Sequence, residues 1–231
     1  MASEDRTTFL RSDVCIGAEA EPVNIVVFGA TGGTGRFLVE RATQAGHEVT
    51  PFARESSRMA SVPGRLRVVR GDVLDAVSVN AAIRGQDAVL SALGSTARNP
   101  APVLSVGVRH ILDAMERHGV RRIVALSVAG ALRESAGFLF GNLSLRIARM
   151  WLPGVYREHR AMLEEFQRRD VDWIAVRAVL LTNGPPKGEY RVAVEGIPRW
   201  GLRISRADVA DFMVRQLTSD AFVQKMPAVA Y

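Results

Sequence analysis

The apolar positions of this chain fall into short solid blocks separated by longer periodic stretches. Val23 to Phe28 is apolar except for Asn24 and stops at a glycine cluster, the pattern of a strand buried on both faces. Glu48 to Ala53, Leu66 to Arg70, Asp87 to Ser91, Arg122 to Leu126 and Asp172 to Val176 predict further strands, and Arg191 to Val194 a short one. Between them, helical spacing predicts helices over Thr34 to Ala45, Ser56 to Ser61, Asp75 to Arg84 and Pro102 to His118, the first and last closed by Gly46 and Gly119. Ser205-Arg206-Ala207-Asp208 has the form of a capping box opening a final helix. Strands that alternate with helices pair in parallel through right-handed crossovers. The expected fold class is therefore α/β, a doubly wound parallel sheet in one domain over residues 22–231, with a small C-terminal region on the substrate side. Residues 1–21 show no periodicity and end before Pro22, which predicts a flexible N-terminal extension.

Composition narrows the function classes. The chain has 231 residues, of which 48% are hydrophobic and 23% charged, enough for one full core. Its apolar runs are too short to cross a bilayer, and the first residues mix Glu4, Asp5, Arg6 and Arg11 without the apolar centre of a signal peptide, so a cytoplasmic protein without membrane contact is expected. Cys15 is the only cysteine, and His47, His110, His118 and His159 lack ligand spacing, which argues against a disulfide framework or a metal site. The net charge of +6 is carried almost wholly by arginine, Lys187 and Lys225 being the only lysines. These charges are spread along the chain without interleaved aromatics, so the expected partners are phosphorylated small molecules and not nucleic acid.

Gly29-Ala30-Thr31-Gly32-Gly33-Thr34-Gly35 lies between a predicted buried strand and a predicted helix, the context that gives a glycine pattern meaning. Gly29 permits a tight turn, Gly32 lets the backbone approach a pyrophosphate, and Gly35 allows close helix packing; Thr31, Gly33 and Thr34 complete a dinucleotide-binding Rossmann loop. The second strand ends at Ala53 with no Asp or Glu to grip an adenosine ribose, and Arg54, with Arg58 behind it, stands there instead. That substitution points to a ribose 2′-phosphate, hence NADP(H) in preference to NAD(H); the plainer reading is of solvated loop charges. The loops after the third and fourth strands, with Asp72-Val73 and Ala92-Leu93-Gly94, should line the adenosine side.

The ordered set of Gly29 to Gly35, Gly71-Asp72-Val73-Leu74, Ser91-Ala92-Leu93-Gly94, Glu158-His159-Arg160, Leu181-Thr182-Asn183-Gly184-Pro185, Gly188-Glu189-Tyr190 and Ile204 to Ala210 resembles the atypical short-chain dehydrogenase/reductases of the NAD(P)H-binding kind. That group is similar to the flavin reductase and biliverdin-IXβ reductase enzymes and includes the NmrA-like regulators. The resemblance implies that Asp72 contacts the adenine, Arg54 the 2′-phosphate, and the loop after Arg177 the nicotinamide side. The chain departs from the family where Arg177-Ala178 replaces a frequent Arg-Pro and Leu126-Ser127 replaces paired serines.

The same resemblance makes Ser127 the hydroxyl that polarises a substrate carbonyl. Tyr156 with Arg160 four places later takes the place of a tyrosine and lysine pair, arginine supplying the charge with a different shape. His159 is a candidate proton donor or substrate ligand, although an exposed helical histidine is the commoner arrangement. In the segment 138–151, positions 140, 143, 147, 150 and 151 share one helical face, which either roofs the substrate or packs on the core or on a second subunit. The expected activity is NADPH-dependent hydride transfer to a small aromatic, quinone, flavin or carbonyl compound by a monomer or homodimer. The alternatives are a non-catalytic NADP(H)-binding regulator and an isomerase or epimerase that uses the cofactor transiently.

Overall fold

The computed structural model describes residues 8–11, 21–54, 67–94, 102–131 and 139–231. Along the chain these form β1 (Thr8–Arg11), β2 (Asn24–Phe28), α1 (Gly33–Gln44), β3 (Glu48–Ala53), β4 (Val69–Arg70), α2 (Ala76–Ile83), β5 (Ala88–Ser91), α3 (Val103–His118), β6 (Arg122–Val128), α4 (Leu139–Trp151) and α5 (Pro153–Gln167). There follow β7 (Asp172–Ala178), β8 (Leu180–Thr182), β9 (Glu189–Ala193), β10 (Arg203–Ser205), α6 (Arg206–Arg215) and β11 (Ala228–Ala230). The main sheet has the order β1-β9-β11-β7-β6-β5-β2-β3-β4, and β8 with β10 makes a small separate pair. From β4 across to β11 every pairing is parallel; β9 and β1 are added antiparallel at one edge. The doubly wound parallel sheet is thus the observed architecture.

Alternation along β2 shows why the sheet is covered on both sides. Ile25 and Val27 enter one core with Leu38 and Val39 of α1 and Phe212 of α6. Val26 and Phe28 enter the other with Ile83 of α2, Ile111 of α3 and Phe166 of α5. Successive side chains of a strand point to opposite faces, so a strand apolar at every position must be sandwiched. In α3, Leu104, Val108, Ile111, Leu112 and Met115 recur at helical spacing and are all buried, and Gly119 ends the helix in the left-handed conformation, φ 70°.

The structure departs from the sequence expectations at the edges. Thr8–Arg11 forms β1 on β9, inside the stretch that shows no periodicity. Edge pairing uses backbone groups, which leave no hydrophobic signature. The third strand is reduced to Val69–Arg70, paired with Phe52 and Ala53. The predicted helix Ser56 to Ser61 lies outside the described residues. β8, β10 and β11 were not legible, each being three residues long and placed by tertiary neighbours.

The C-terminal region is organised on Asp208, which is 1% exposed. The Ser205 hydroxyl caps α6 by accepting from the Asp208 N–H at 3.0 Å, as the sequence predicts. The carboxylate does not complete a capping box. It accepts instead from the Lys187 and Gly188 N–H groups at 2.9 and 3.0 Å and from the Ser205 hydroxyl at 2.8 Å, while the Tyr231 hydroxyl donates to it and accepts from the Ser205 N–H. One buried carboxylate thereby joins α6, β10, the approach to β9 and the C-terminus. We expect Asp208→Ala to remove on the order of 3 kcal/mol or more of stability by leaving several donors unmatched. Urea unfolding checks this, and an unchanged midpoint would refute it.

Candidate functional site

In open α/β sheets ligands bind at the carboxyl ends of the strands where the strand order reverses. Here the reversal falls at β2, which has β3 on one side and β5 on the other. The loop after β2 and the loop after β5 touch at this point. Gly29 has φ 74°, and a Cβ there would sit 2.6 Å from the Ala92 carbonyl oxygen; the Ala92 N–H donates to the Phe28 carbonyl at 2.9 Å. The Gly32 N–H closes the turn onto the Gly29 carbonyl at 2.9 Å, and a Cβ on Gly35 would lie 2.0 Å from that same oxygen. Glycine is required here by contact between backbones.

Gly32 caps α1 in an extended conformation with no side-chain hydrogen bond, and the first helical bond runs from Arg36 N–H to the Gly32 carbonyl at 3.2 Å. The amides of the first turn, Gly33, Thr34 and Gly35, therefore face the loop mouth, the arrangement that binds a phosphate. Gly32 and Gly33 are exposed, Thr31 is half-buried and Thr34 is buried against the core. The loop itself puts no side chain over these amides at Gly32 and Gly33, which leaves room for a phosphate group.

On the side expected to meet the adenosine, Arg54 follows β3 and is exposed, while Arg58 lies outside the described residues. The Asp72 carboxylate accepts from the Leu74 N–H at 3.0 Å, which fixes the loop after β4. Val73 is buried, and its carbonyl is 3.0 Å from Nδ1 of His110, which requires the Nδ1–H tautomer. Ala92 and Leu93 are half-buried and Gly94 is exposed on the facing loop.

On the other side of the switch point, Ile123 and Ala125 of β6 face the core under α5, so Ser127 faces it too. Ser127 is 3% exposed and its Oγ is 3.5 Å from Nδ1 of His159. His159, at 7% exposure, is not the solvent-facing helical histidine that is the commoner case: it precedes Met162 and Leu163 on the inner face of α5. Burial pushes its pKa down to about 4, so the ring is neutral at neutral pH. Tyr156 is half-buried in the first turn of α5, and exposed Arg160 donates to the Ala131 carbonyl at 3.4 Å. Glu158 accepts from the Ser105 N–H at 3.2 Å and hydroxyl at 3.0 Å, tying α5 to the start of α3.

Two expected contributors are placed differently. Arg177 is 2% exposed; its Nε donates to the Met226 carbonyl at 2.5 Å and an Nη to the Val194 carbonyl at 2.7 Å. The side chain thus holds the chain before β11 against the loop after β9, and Arg177 marks the ligand edge by its backbone position beside Ser127. Of the α4 stripe, the four positions whose side chains are described do not pack on the core. Leu143, Ile147, Met150 and Trp151 are 45% to 75% exposed, and Arg149 is the residue that reaches inward, Nε donating to the Gly130 carbonyl at 2.9 Å.

Sequence reasoning missed the contact of Arg206 with the glycine loop: a Cβ on Gly33 would lie 2.9 Å from Arg206 Nε. Only the packing of α6 on α1 brings these residues together. An open depression of about 640 Å³ lined by Asn24, His47, Arg67 and Arg84 lies at the amino ends of the strands, the edge opposite to the glycine loop.

Comparison with known proteins identifies the family and the fold. The chain matches the model of the NAD(P)H-binding family over residues 29–220. It is 32% identical over 118 residues to cinnamoyl-CoA reductase 1 of Oryza sativa subsp. japonica, a match spanning 47% of this chain and 35% of that one. The chain spans between 12% and 39% of the lengths of the curated relatives it matches. Its fold is that of the anaerobillin reductase ChuY of Escherichia coli O157:H7, with a TM-score of 0.74 at 21% identity over 90% of this chain and 96% of that one. It is also that of a short-chain dehydrogenase/reductase of Veillonella parvula in complex with NADP, with a TM-score of 0.73 at 18% identity over 90% and 94%.

Because His159 resists protonation in the fold and takes a proton near pH 6.5 when unfolded, native stability should fall as pH drops below about 6.5 and the loss should be complete near pH 4. The contribution is roughly 3 kcal/mol. Urea midpoints across this range should fall further for wild type than for His159→Gln; parallel profiles would remove the neutral buried histidine.

Proposed function

Because this chain belongs to the NAD(P)H-binding family, we propose that it is an NADPH-dependent reductase of small aromatic, quinone, flavin or carbonyl substrates. The observation that carries the reading is the buried Ser127–His159 pair at the carboxyl end of β6, across the switch point from the adenosine-side loops. The kinship with reductases such as cinnamoyl-CoA reductase supports it.

Bound NADPH would supply the hydride. The chain's own part is to hold it and to polarise the acceptor. The amides at the start of α1 receive the pyrophosphate, and Arg54, with no carboxylate at the end of β3 to contact a free 2′-hydroxyl, receives the 2′-phosphate. Neutral His159 in its Nδ1–H form donates to Ser127 Oγ, which leaves the serine proton free to hydrogen-bond the substrate oxygen. His159 is in this reading a positioning residue, and Ser127 the group that touches substrate. Reduction of a carbonyl consumes the hydride and one proton from solvent. Tyr156 and Arg160, on the turn of α5 that carries His159, flank the same edge.

Two measurements test the assignment. Ser127→Ala should lower kcat/KM for NADPH oxidation by roughly 100-fold while leaving NADPH binding unchanged. Absence of turnover with a panel of flavins, quinones and carbonyls, alongside tight NADPH binding, would replace the reductase with a cofactor-sensing regulator. Arg54→Ala should raise the Kd for NADPH about tenfold and that for NADH much less; equal losses would sink the 2′-phosphate assignment.

A further inference from the structure

Arg206 stands where a cation is electrostatically out of place. It is the first residue of α6, and its side chain lies against Gly33, the first residue of α1. Both helices present the positive ends of their dipoles here, together with the unbonded first-turn amides of α1, and such a location disfavours positive charge. Among the described residues no carboxylate lies within ion-pair distance of Arg206. Its guanidinium is held by two neutral oxygens, with Nη1 donating to Asn183 Oδ1 at 2.6 Å and to the Leu181 carbonyl at 3.4 Å.

The position is not accidental, because α6 is anchored to α1 well away from this end. Arg41 of α1 pairs with Asp211 of α6, which also accepts from Arg215 at 2.8 Å and from the Tyr190 hydroxyl at 3.3 Å. The start of α6 is held separately by Asp208 and Tyr231. A half-buried arginine is thus delivered to Gly33 at the start of α1 by two independent sets of contacts, with no carboxylate paired to it among the described residues.

We propose that Arg206 is a cofactor-binding residue that closes on the pyrophosphate from above the loop, so that the anion is gripped between the guanidinium and the amides at the start of α1. This rests on the cofactor reading above. Leu181 and Asn183 follow β7, which lies on the opposite side of β2 from β3 and Arg54. Arg206 therefore approaches from the nicotinamide half and takes the phosphate on that half, while Asn183 steadies the guanidinium. Gly33 serves the same purpose: any side chain there would displace the arginine.

Three ligands separate this role from a general one. NADPH and 2′-phospho-ADP-ribose carry the phosphate on the nicotinamide side, and 2′,5′-ADP lacks it. In calorimetric titrations, Arg206→Gln should raise the Kd for the first two by roughly 10- to 100-fold and that for 2′,5′-ADP by less than about threefold, with Arg206→Lys recovering part of the loss. The loss should also shrink as salt is raised. Equal losses for all three ligands, or no loss for any, would overturn the role of Arg206 and leave the cofactor site standing. A wild-type protein that binds none of the three, nor NADH, would overturn the cofactor reading itself.

Discussion

The structure turns on the close passage of two backbones at the carboxyl ends of β2 and β5. The Gly29 turn lies against the Ala92 carbonyl with no room for a Cβ, and Gly35 lies against the Gly29 carbonyl. Interiors of proteins are packed to the density of organic crystals, so a contact of this kind admits one geometry only. It aims the first turn of α1 at the crevice and brings the loops after β2 and β5 together at its rim. The strand order then places Ser127, at the end of β6, beyond β5 on the other rim.

A second constraint works from the C-terminal end. Asp208 gathers the Lys187 and Gly188 amides and the Ser205 and Tyr231 hydroxyls around one carboxylate. It is buried, and the donors that surround it replace the water it has lost. This cluster closes the open side of the fold, where the small β8–β10 pair and β11 complete what the parallel sheet leaves unfinished. It also sets the height at which Arg206 meets the glycine loop. The edge around the glycine loop is therefore built from both ends of the chain, the loop from the first third and the Arg206 side chain beside it from the last.

The edge that carries Ser127 is less enclosed. Ser127 and His159 are buried together beneath α5, yet the neighbouring α4 turns Leu143, Ile147, Met150 and Trp151 to solvent. A helix whose apolar stripe faces outward is unusual, since burial of that stripe is what normally holds an amphipathic helix in place. Here Arg149 anchors it through the Gly130 carbonyl. Ser127 and His159 belong to the sheet and α5, while among the described side chains of the adjoining α4 it is Arg149 that reaches back to the strand end.

The sequence by itself determined the central strands, the long helices and the dinucleotide loop. Those features rest on local rules: β-branched runs for buried strands, periodic leucines and isoleucines in α3, and glycines where backbones must meet. The positions of Ser127 near a strand end and of Arg54 just after β3 were legible in the same way, because both follow from where the strands stop. What tertiary structure decided was the company each residue keeps. Residue type does not reveal that His159 is buried against Ser127, that Arg177 is spent on backbone carbonyls, or that Tyr231 takes over half of the capping box. Nor do the three-residue strands, the β1 edge or the meeting of Arg206 with Gly33 leave a pattern along the chain, because hydrogen bonds and charge contacts between distant segments have no period, whereas hydrophobic burial within one element does.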